Sequence, residues 1–245
     1  MANHGYMRRN FLSSKERELY DQIYLLLKDI KCGMIYTELR DGKLSEVAEA
    51  LHFDYPEYTF AWKKDRAITN CKSKKGCMIK IEYCYEREKI IKIRTEIDKY
   101  IQNNIAPYIK AVGCSSQLDI VLAVYNYLSK VLTYSKQKGA SAYTLETLYH
   151  LEGVCRGISL SLVYILRLYG IECFYIRGRI AVNPSEANLG RPTHGWCMVK
   201  LDGNYYHLDL TWDLNASLFD YFLLKDSEIY QNHHRWDFEQ YPKAI

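Results

Sequence analysis

Apolar positions along the chain recur with two periods. Ser13-Ser14-Lys15-Glu16 is a capping-box pattern, and Leu19, Ile23, Leu26, Leu27 and Ile30 follow at helical spacing, so a helix is expected there. A second, short helix is predicted over Leu44 to Leu51. Tyr58 to Trp62, Ala67 to Cys71 and Cys77 to Tyr85 read as strands. In the last of these Ile79, Ile81, Tyr83 and Tyr85 alternate with Lys80, Glu82 and Cys84, the period of a half-buried strand. Lys72, Lys74, Lys75 and Gly76 mark the hairpin tip between the last two, a solvated basic turn. Helical spacing resumes from Arg87 to about Ala106, with Ile90, Ile93, Ile97, Tyr100 and Ile101 on one side and Pro107 placed to end or kink it. The glycine and serines between Val112 and Ser116 mark the expected boundary. Beyond it Leu118, Val121, Tyr125, Leu128 and Leu132 open another helix. The pattern therefore predicts a smaller α+β module over 1–115 and a second unit over 116–245.

Composition narrows the functional classes without choosing one. The 245 residues are 48% hydrophobic and 25% charged, which is ordinary for a globular chain able to bury a core. Thirty-three basic against 29 acidic side chains leave a net charge of +4, too small and too scattered for a nucleic-acid binder. No apolar run approaches the roughly 20 residues of a membrane span. No apolar stretch follows the basic N-terminal residues, so no secretory signal is read there, and a cytoplasmic protein is expected. Eight cysteines invite either a disulfide framework or a metal site. A chain of this length in a reducing compartment needs no disulfides. Cys71, Cys77 and Cys84 lack zinc-ligand spacing, and no Cys-x-x-Cys pair occurs, so neither metal nor cofactor is expected.

One thiol stands apart. Gly153-Val154-Cys155-Arg156-Gly157-Ile158-Ser159 runs on through Leu160 to Tyr169 as a helix that is apolar around nearly its whole circumference and stops at Gly170. Cys155 would occupy its first turn, where unpaired N–H groups and the helix dipole favour thiolate. Gly153 and Gly157 leave room for another segment to approach. A thiol there also reads as a small core residue, unless a base and an orienting group accompany it.

Downstream, Asp202-Gly203 separates two strand-like runs, a strong hairpin signal. If it is a two-residue loop, Leu201 faces Asn204, Trp196 faces Asp209 and His194 faces Thr211. His194 and Asp209 then share one face as diagonal neighbours that an imidazole and a carboxylate can bridge. A three-residue loop would separate them onto opposite faces. His207 shares that face too, opposite Met198 and further from the strand end, which makes it the weaker candidate. The stretch from Asn183 to Pro192 is expected to border any cleft.

Gly153-Val154-Cys155-Arg156-Gly157, His194-Gly195-Trp196 and Tyr206-His207-Leu208-Asp209-Leu210-Thr211-Trp212-Asp213 resemble the three sequence blocks of the transglutaminase-like superfamily, in the family's order. Ser141-Ala142-Tyr143 and the helix from Val124 to Tyr134 look like its approach to the cysteine. The resemblance covers roughly 116–215, and the preceding residues look like an N-terminal extension. It implies an α+β, papain-like core in which a central helix carries the cysteine at its N-terminus and packs on an antiparallel sheet. Cys155 would be the nucleophile, His194 the general base and acid, and Asp209 its orienter. The Cys155 N–H would supply part of an oxyanion hole, with Tyr143 and Trp196 as candidates for the second donor and the substrate wall. Trp212 and Asp213 would shape the turn. Cys197 and Leu210 depart from the usual asparagine and proline. The implied chemistry is acyl transfer on amide or peptide bonds through a thioester, with a protein or peptide as substrate. Hydrolysis, deamidation and crosslinking all stay open, as does the oligomeric state. Two other readings stand beside it: a non-catalytic module of the same fold that binds peptide or protein, and a zinc protein built on Cys71, Cys77 and Cys84.

Overall fold

The computed structural model describes residues 8–63, 68–73, 76–135, 139–181 and 192–245, and its packing divides the chain between Thr95 and Glu96. The first unit opens with α1 (Ser14–Lys28), started by the Ser13 N–H donating to Glu16 at 2.6 Å. β1 (Gly33–Thr37), α2 (Asp41–Asp54), α3 (Pro56–Thr59), β2 (Ile68–Ser73) and β3 (Gly76–Ile81) follow. The three strands form an antiparallel sheet in the order β1-β3-β2. Its core joins Leu19, Ile23 and Leu27 of α1, Val47 and Leu51 of α2, and Ile79 and Ile81 of β3.

Three expectations are corrected here. Residues 58–62 are not a strand. Pro56 opens a helical turn, for which its fixed φ is suited, and Trp62 meets Tyr83 only through an isolated bridge. β1 was not anticipated at all. Cys77 is disulfide-bonded rather than a free thiol.

The second unit begins within α4 (Arg87–Tyr100). Pro107 does not end this helical run. A π turn over Ile101–Ile105 passes directly into α5 (Ala106–Val112), with Pro107 in its first turn. A wider turn accommodates a ring that would otherwise strike the carbonyl four residues back. Gly113, at φ +75, ends α5. In α6 (Gln117–Val131) the Asp119 carboxylate accepts from the Ser115 and Ser116 N–H groups, and Ser116 Oγ accepts from the Asp119 N–H. β4 (Thr133–Tyr134) then pairs in parallel with β5 (Glu152–Gly153), with α7 (Glu146–His150) between them in sequence.

α8 (Cys155–Leu168) is buried along most of its length. It packs on the antiparallel pair β6 (Cys173–Ile180) and β7 (His194–Leu201). Polar bonds fix the docking: Ser159 Oγ donates to the Gly195 carbonyl at 3.1 Å, the Cys197 thiol to the Ser159 carbonyl at 3.2 Å, and Arg167 Nε to the Cys173 carbonyl at 2.7 Å. β8 (Asn204–Leu208), β9 (Phe222–Leu224), α9 (Asp226–Gln231) and β10 (His234–Trp236) complete an antiparallel sheet in the order β10-β6-β7-β8-β9. The class is α+β, with a helix carrying its cysteine at the N-terminus and packed on an antiparallel sheet. Among the described residues no helix is long and apolar enough to cross a membrane.

Candidate active site

Cys155 is the first residue of α8, after Val154 in extended conformation. The flanking glycines are there for close packing. A Cβ on Gly157 would lie 2.1 Å from Thr147 Oγ1 and 2.4 Å from the Ala142 carbonyl, and one on Gly153 would lie 2.3 Å from the same hydroxyl. A glycine inside a helix costs about 1 kcal/mol. Here it lets the segment from Ala142 to Thr147 lie against the start of α8. Cys155 itself is half-buried.

The hairpin of β7 and β8 has the expected register. Asp202 and Gly203 take φ of 49° and 84°, the left-handed pair of a two-residue turn. Leu201 faces Asn204, Met198 faces His207 and Cys197 faces Leu208. One residue past the ladder, Asp209 Oδ2 lies 2.5 Å from His194 Nε2, while its Oδ1 accepts the Thr211 N–H at 3.1 Å. The His194 ring also acts on the Cys155 thiol, and the thiol on the ring. With Nε2 committed to Asp209, Nδ1 is the nitrogen left for sulfur. Of the three residues singled out in the sequence, His194 and Asp209 are brought into contact, and Cys155 starts the helix packed on the same sheet.

Electrostatics follow from that chain. Burial pushes the Cys155 thiol up, but the His194 bond and charge and the Gly195 and Arg156 N–H groups outweigh it, and the thiol falls below its ordinary value. Burial pulls His194 down, yet Asp209 and Cys155 push it up to about 10. Burial also raises Asp209, which His194 and His234 nevertheless hold below the usual carboxylate range. These shifts favour a thiolate–imidazolium pair.

The surroundings hold two residues that the sequence did not single out. His234, on β10, is fully buried and places Nε2 2.9 Å from Asp209 Oδ2. No motif surrounds it; the signal available was a short His-Arg-Trp run at strand-forming spacing. Tyr134, on β4, lies beside Gly153, and the Cys155 thiol and backbone both act on its hydroxyl. Leu132-Thr133-Tyr134 at the end of α6 was its only local sign. Tyr143 is half-buried and lies near enough to Tyr134 to act on its charge.

Trp196 is fully buried. Its indole N–H donates to His207 Nδ1 at 2.9 Å, and its ring stacks on His194 at 5.8 Å, so it backs the imidazole instead of walling a substrate pocket. His207 is also buried, with Nε2 2.8 Å from Asp226. Trp212, about two-fifths exposed, has its ring centre 6.0 Å from that of His194. Asp213 accepts from the Tyr125 hydroxyl at 2.6 Å and from the Asp220 and Tyr221 N–H groups, which gives it the turn-shaping part expected of it. The stretch Asn183 to Pro192 lies, apart from Pro192, outside the described residues.

His194, Asp209 and His234 offer three ligand-type atoms within 4.8 Å of one another. Their spacing is that of hydrogen bonds. Tetrahedral ligands on bonds of about 2.0–2.1 Å stand roughly 3.3 Å apart, whereas His194 Nε2 and Asp209 Oδ2 are at 2.5 Å. An ion would have to spread the pair.

Residues 105–210 match the family model of the transglutaminase-like superfamily. Over that segment the chain is similar to this superfamily. Three solved structures are similar to it. One, from Cytophaga hutchinsonii, is named as a candidate cysteine protease and shares 20% identity over 48% of this chain and 38% of its own, with a TM-score of 0.38. A second, named as a TGase, shares 16% identity over 74% and 50%, with a TM-score of 0.39. A third, a candidate protease from Parabacteroides distasonis, shares 12% over 59% and 33%, with a TM-score of 0.32. This chain spans half or less of the length of each. A comparison with curated proteins gives no match. The matched segment ends one residue past Asp209, so His234 lies beyond it.

Proposed function

We propose that this chain transfers acyl groups from amide or peptide carbonyls through a thioester on Cys155. The observation that carries this reading is the His194 ring, bonded to Asp209 and lowering the pKa of the thiol at the N-terminus of α8. The thiolate attacks the carbonyl carbon, and the oxyanion that forms accepts from the Cys155 N–H and the Tyr134 hydroxyl. The His194 imidazolium gives its proton to the leaving nitrogen as the C–N bond breaks. Neutral His194 then takes a proton from an incoming water or amine. That nucleophile displaces the thiolate and regenerates the site. Asp209 holds the ring and balances its charge throughout. Tyr143 borders the same opening, and a protein or peptide is the substrate.

The test offers peptide and glutamine-amide substrates with and without a primary amine, and follows hydrolysis, ammonia release and amine incorporation. Denaturing mass spectrometry of the quenched reaction should show an acyl adduct on the Cys155 peptide. The reading is overturned if peptide binds but no adduct or turnover appears and Cys155 alkylates no faster than the exposed Cys32 and Cys84. That outcome would leave a binding module of the same fold.

A further inference from the structure

Asp209 serves two imidazoles. Its Oδ2 bonds His194 Nε2 at 2.5 Å and His234 Nε2 at 2.9 Å. The other nitrogen of His234, Nδ1, lies 3.0 Å from the Asn232 carbonyl oxygen. Both partners of His234 are acceptors, so both ring nitrogens are placed to donate, and a ring donating from both is an imidazolium. The ring is fully buried, where polar nitrogens need partners, and Asp209 and Asn232 supply them. The His194 and His234 ring centres are 5.5 Å apart. The position is built rather than accidental: β10 pairs with β6 so that His234 faces Ile180, and Trp196, Trp212 and Tyr221 enclose the ring at 4.9, 5.0 and 5.8 Å.

We propose that His234 is a positioning residue that shares the Asp209 carboxylate with His194 and thereby sets the pH window in which Cys155 and His194 exist as a thiolate–imidazolium pair. This rests on the acyl-transfer reading only in supposing that the pair forms. A lone Asp209 would direct its whole charge at His194. A second cation on the same oxygen weakens that pull and favours the thiolate across the site. Removing it should move both edges of the window upward, because the thiolate loses a cation and the His194 imidazolium no longer competes for its anion.

The other groups facing this cluster are His207 from β8, Tyr221 ahead of β9, and Asp213 from the turn after Asp209. Asp213 is held by Tyr125 and the Asp220 and Tyr221 N–H groups. Burial chiefly lowers His207, against the opposing pull of Asp226. Arg235 turns away, donating to the Tyr230 carbonyl.

The experiment follows iodoacetamide alkylation of the Cys155 peptide against pH by mass spectrometry, in wild type, His234→Gln and His234→Lys. Glutamine keeps a donor toward Asp209 without charge, and lysine keeps the charge. The acid edge is expected to rise in the glutamine variant and to return toward wild type with lysine. An unmoved edge in His234→Gln overturns the proposal. A wild-type Cys155 that alkylates like an ordinary thiol overturns the acyl-transfer reading instead. Where either variant fails to fold, 15N spectra of the wild-type imidazoles decide: two ring N–H groups on His234 at neutral pH are expected, and a single one refutes the assignment.

Discussion

The hairpin of β7 and β8 holds two histidine–carboxylate pairs with almost the same inventory and opposite uses. His194 meets Asp209 at 2.5 Å, and His207 meets Asp226 at 2.8 Å. The difference lies in each ring's second nitrogen. For His207 it accepts the Trp196 indole N–H, the ring is fully buried, and burial drives its pKa down. For His194 it faces the Cys155 thiol, and the combined pull of Asp209 and Cys155 lifts its pKa to about 10. A histidine beside a carboxylate is therefore not yet a base; what its free nitrogen meets decides whether it shuttles a proton or fills a core.

The comparison breaks most sharply at the thiol. Cys155→Ala should leave the fold intact and lower turnover by on the order of 10⁴-fold or more, as removal of a nucleophile does in triads. Steady-state rates beside a thermal melt check this, and near-wild-type rates would assign the chemistry elsewhere. Asp209→Asn and Asp226→Asn, made in parallel, come next. The first should cost about 10³–10⁴-fold in kcat by mispresenting the His194 tautomer. The second should change stability and leave kcat within a few-fold. Equal losses would erase the distinction between the pairs.

The pH profile sharpens the contrast further. Thiolate is lost as pH falls through the Cys155 value, which lies below the ordinary thiol, so activity should persist to lower pH than an ordinary cysteine would allow. The proton for the leaving nitrogen is lost as pH rises through the His194 value, so the alkaline edge should fall near 10. A ring in the His207 environment would give an edge below neutrality. A turnover profile over pH 4–11 separates the two.

What the sequence made legible was local. Asp202-Gly203 fixed the strand register and so placed His194 with Asp209, because a two-residue turn admits one pairing. Gly153 and Gly157 around Cys155 announced a crowded helix start, which Thr147 and Ala142 supply. What stayed hidden depended on distant pairing. His234 reaches Asp209 because a three-residue strand pairs with β6, and Tyr134 reaches Cys155 through a two-residue parallel bridge. Neither strand is long enough to carry a period. The strand expected over 58–62 failed because its apolar residues belong to a proline-started turn. Pro107 misled because the helical run widened around it.

The smallest expected effect falls on the residue that links the two pairs. Trp196 stacks on His194 with ring planes 22° apart and donates its N–H to His207. Trp196→Phe keeps an aromatic face behind His194 but leaves the buried His207 Nδ1 without its donor, at a cost of about 1–3 kcal/mol. In a chain of this size that lowers Tm by roughly 2–4 °C per kcal/mol. If Trp196 is packing, as its complete burial dictates, kcat/KM of the folded variant stays within about threefold of wild type, a change of under 1 kcal/mol in the barrier. A large rise in KM with an unchanged melt would instead mean that the indole meets substrate. The wall between the structural and the reactive histidine would then itself be part of the site.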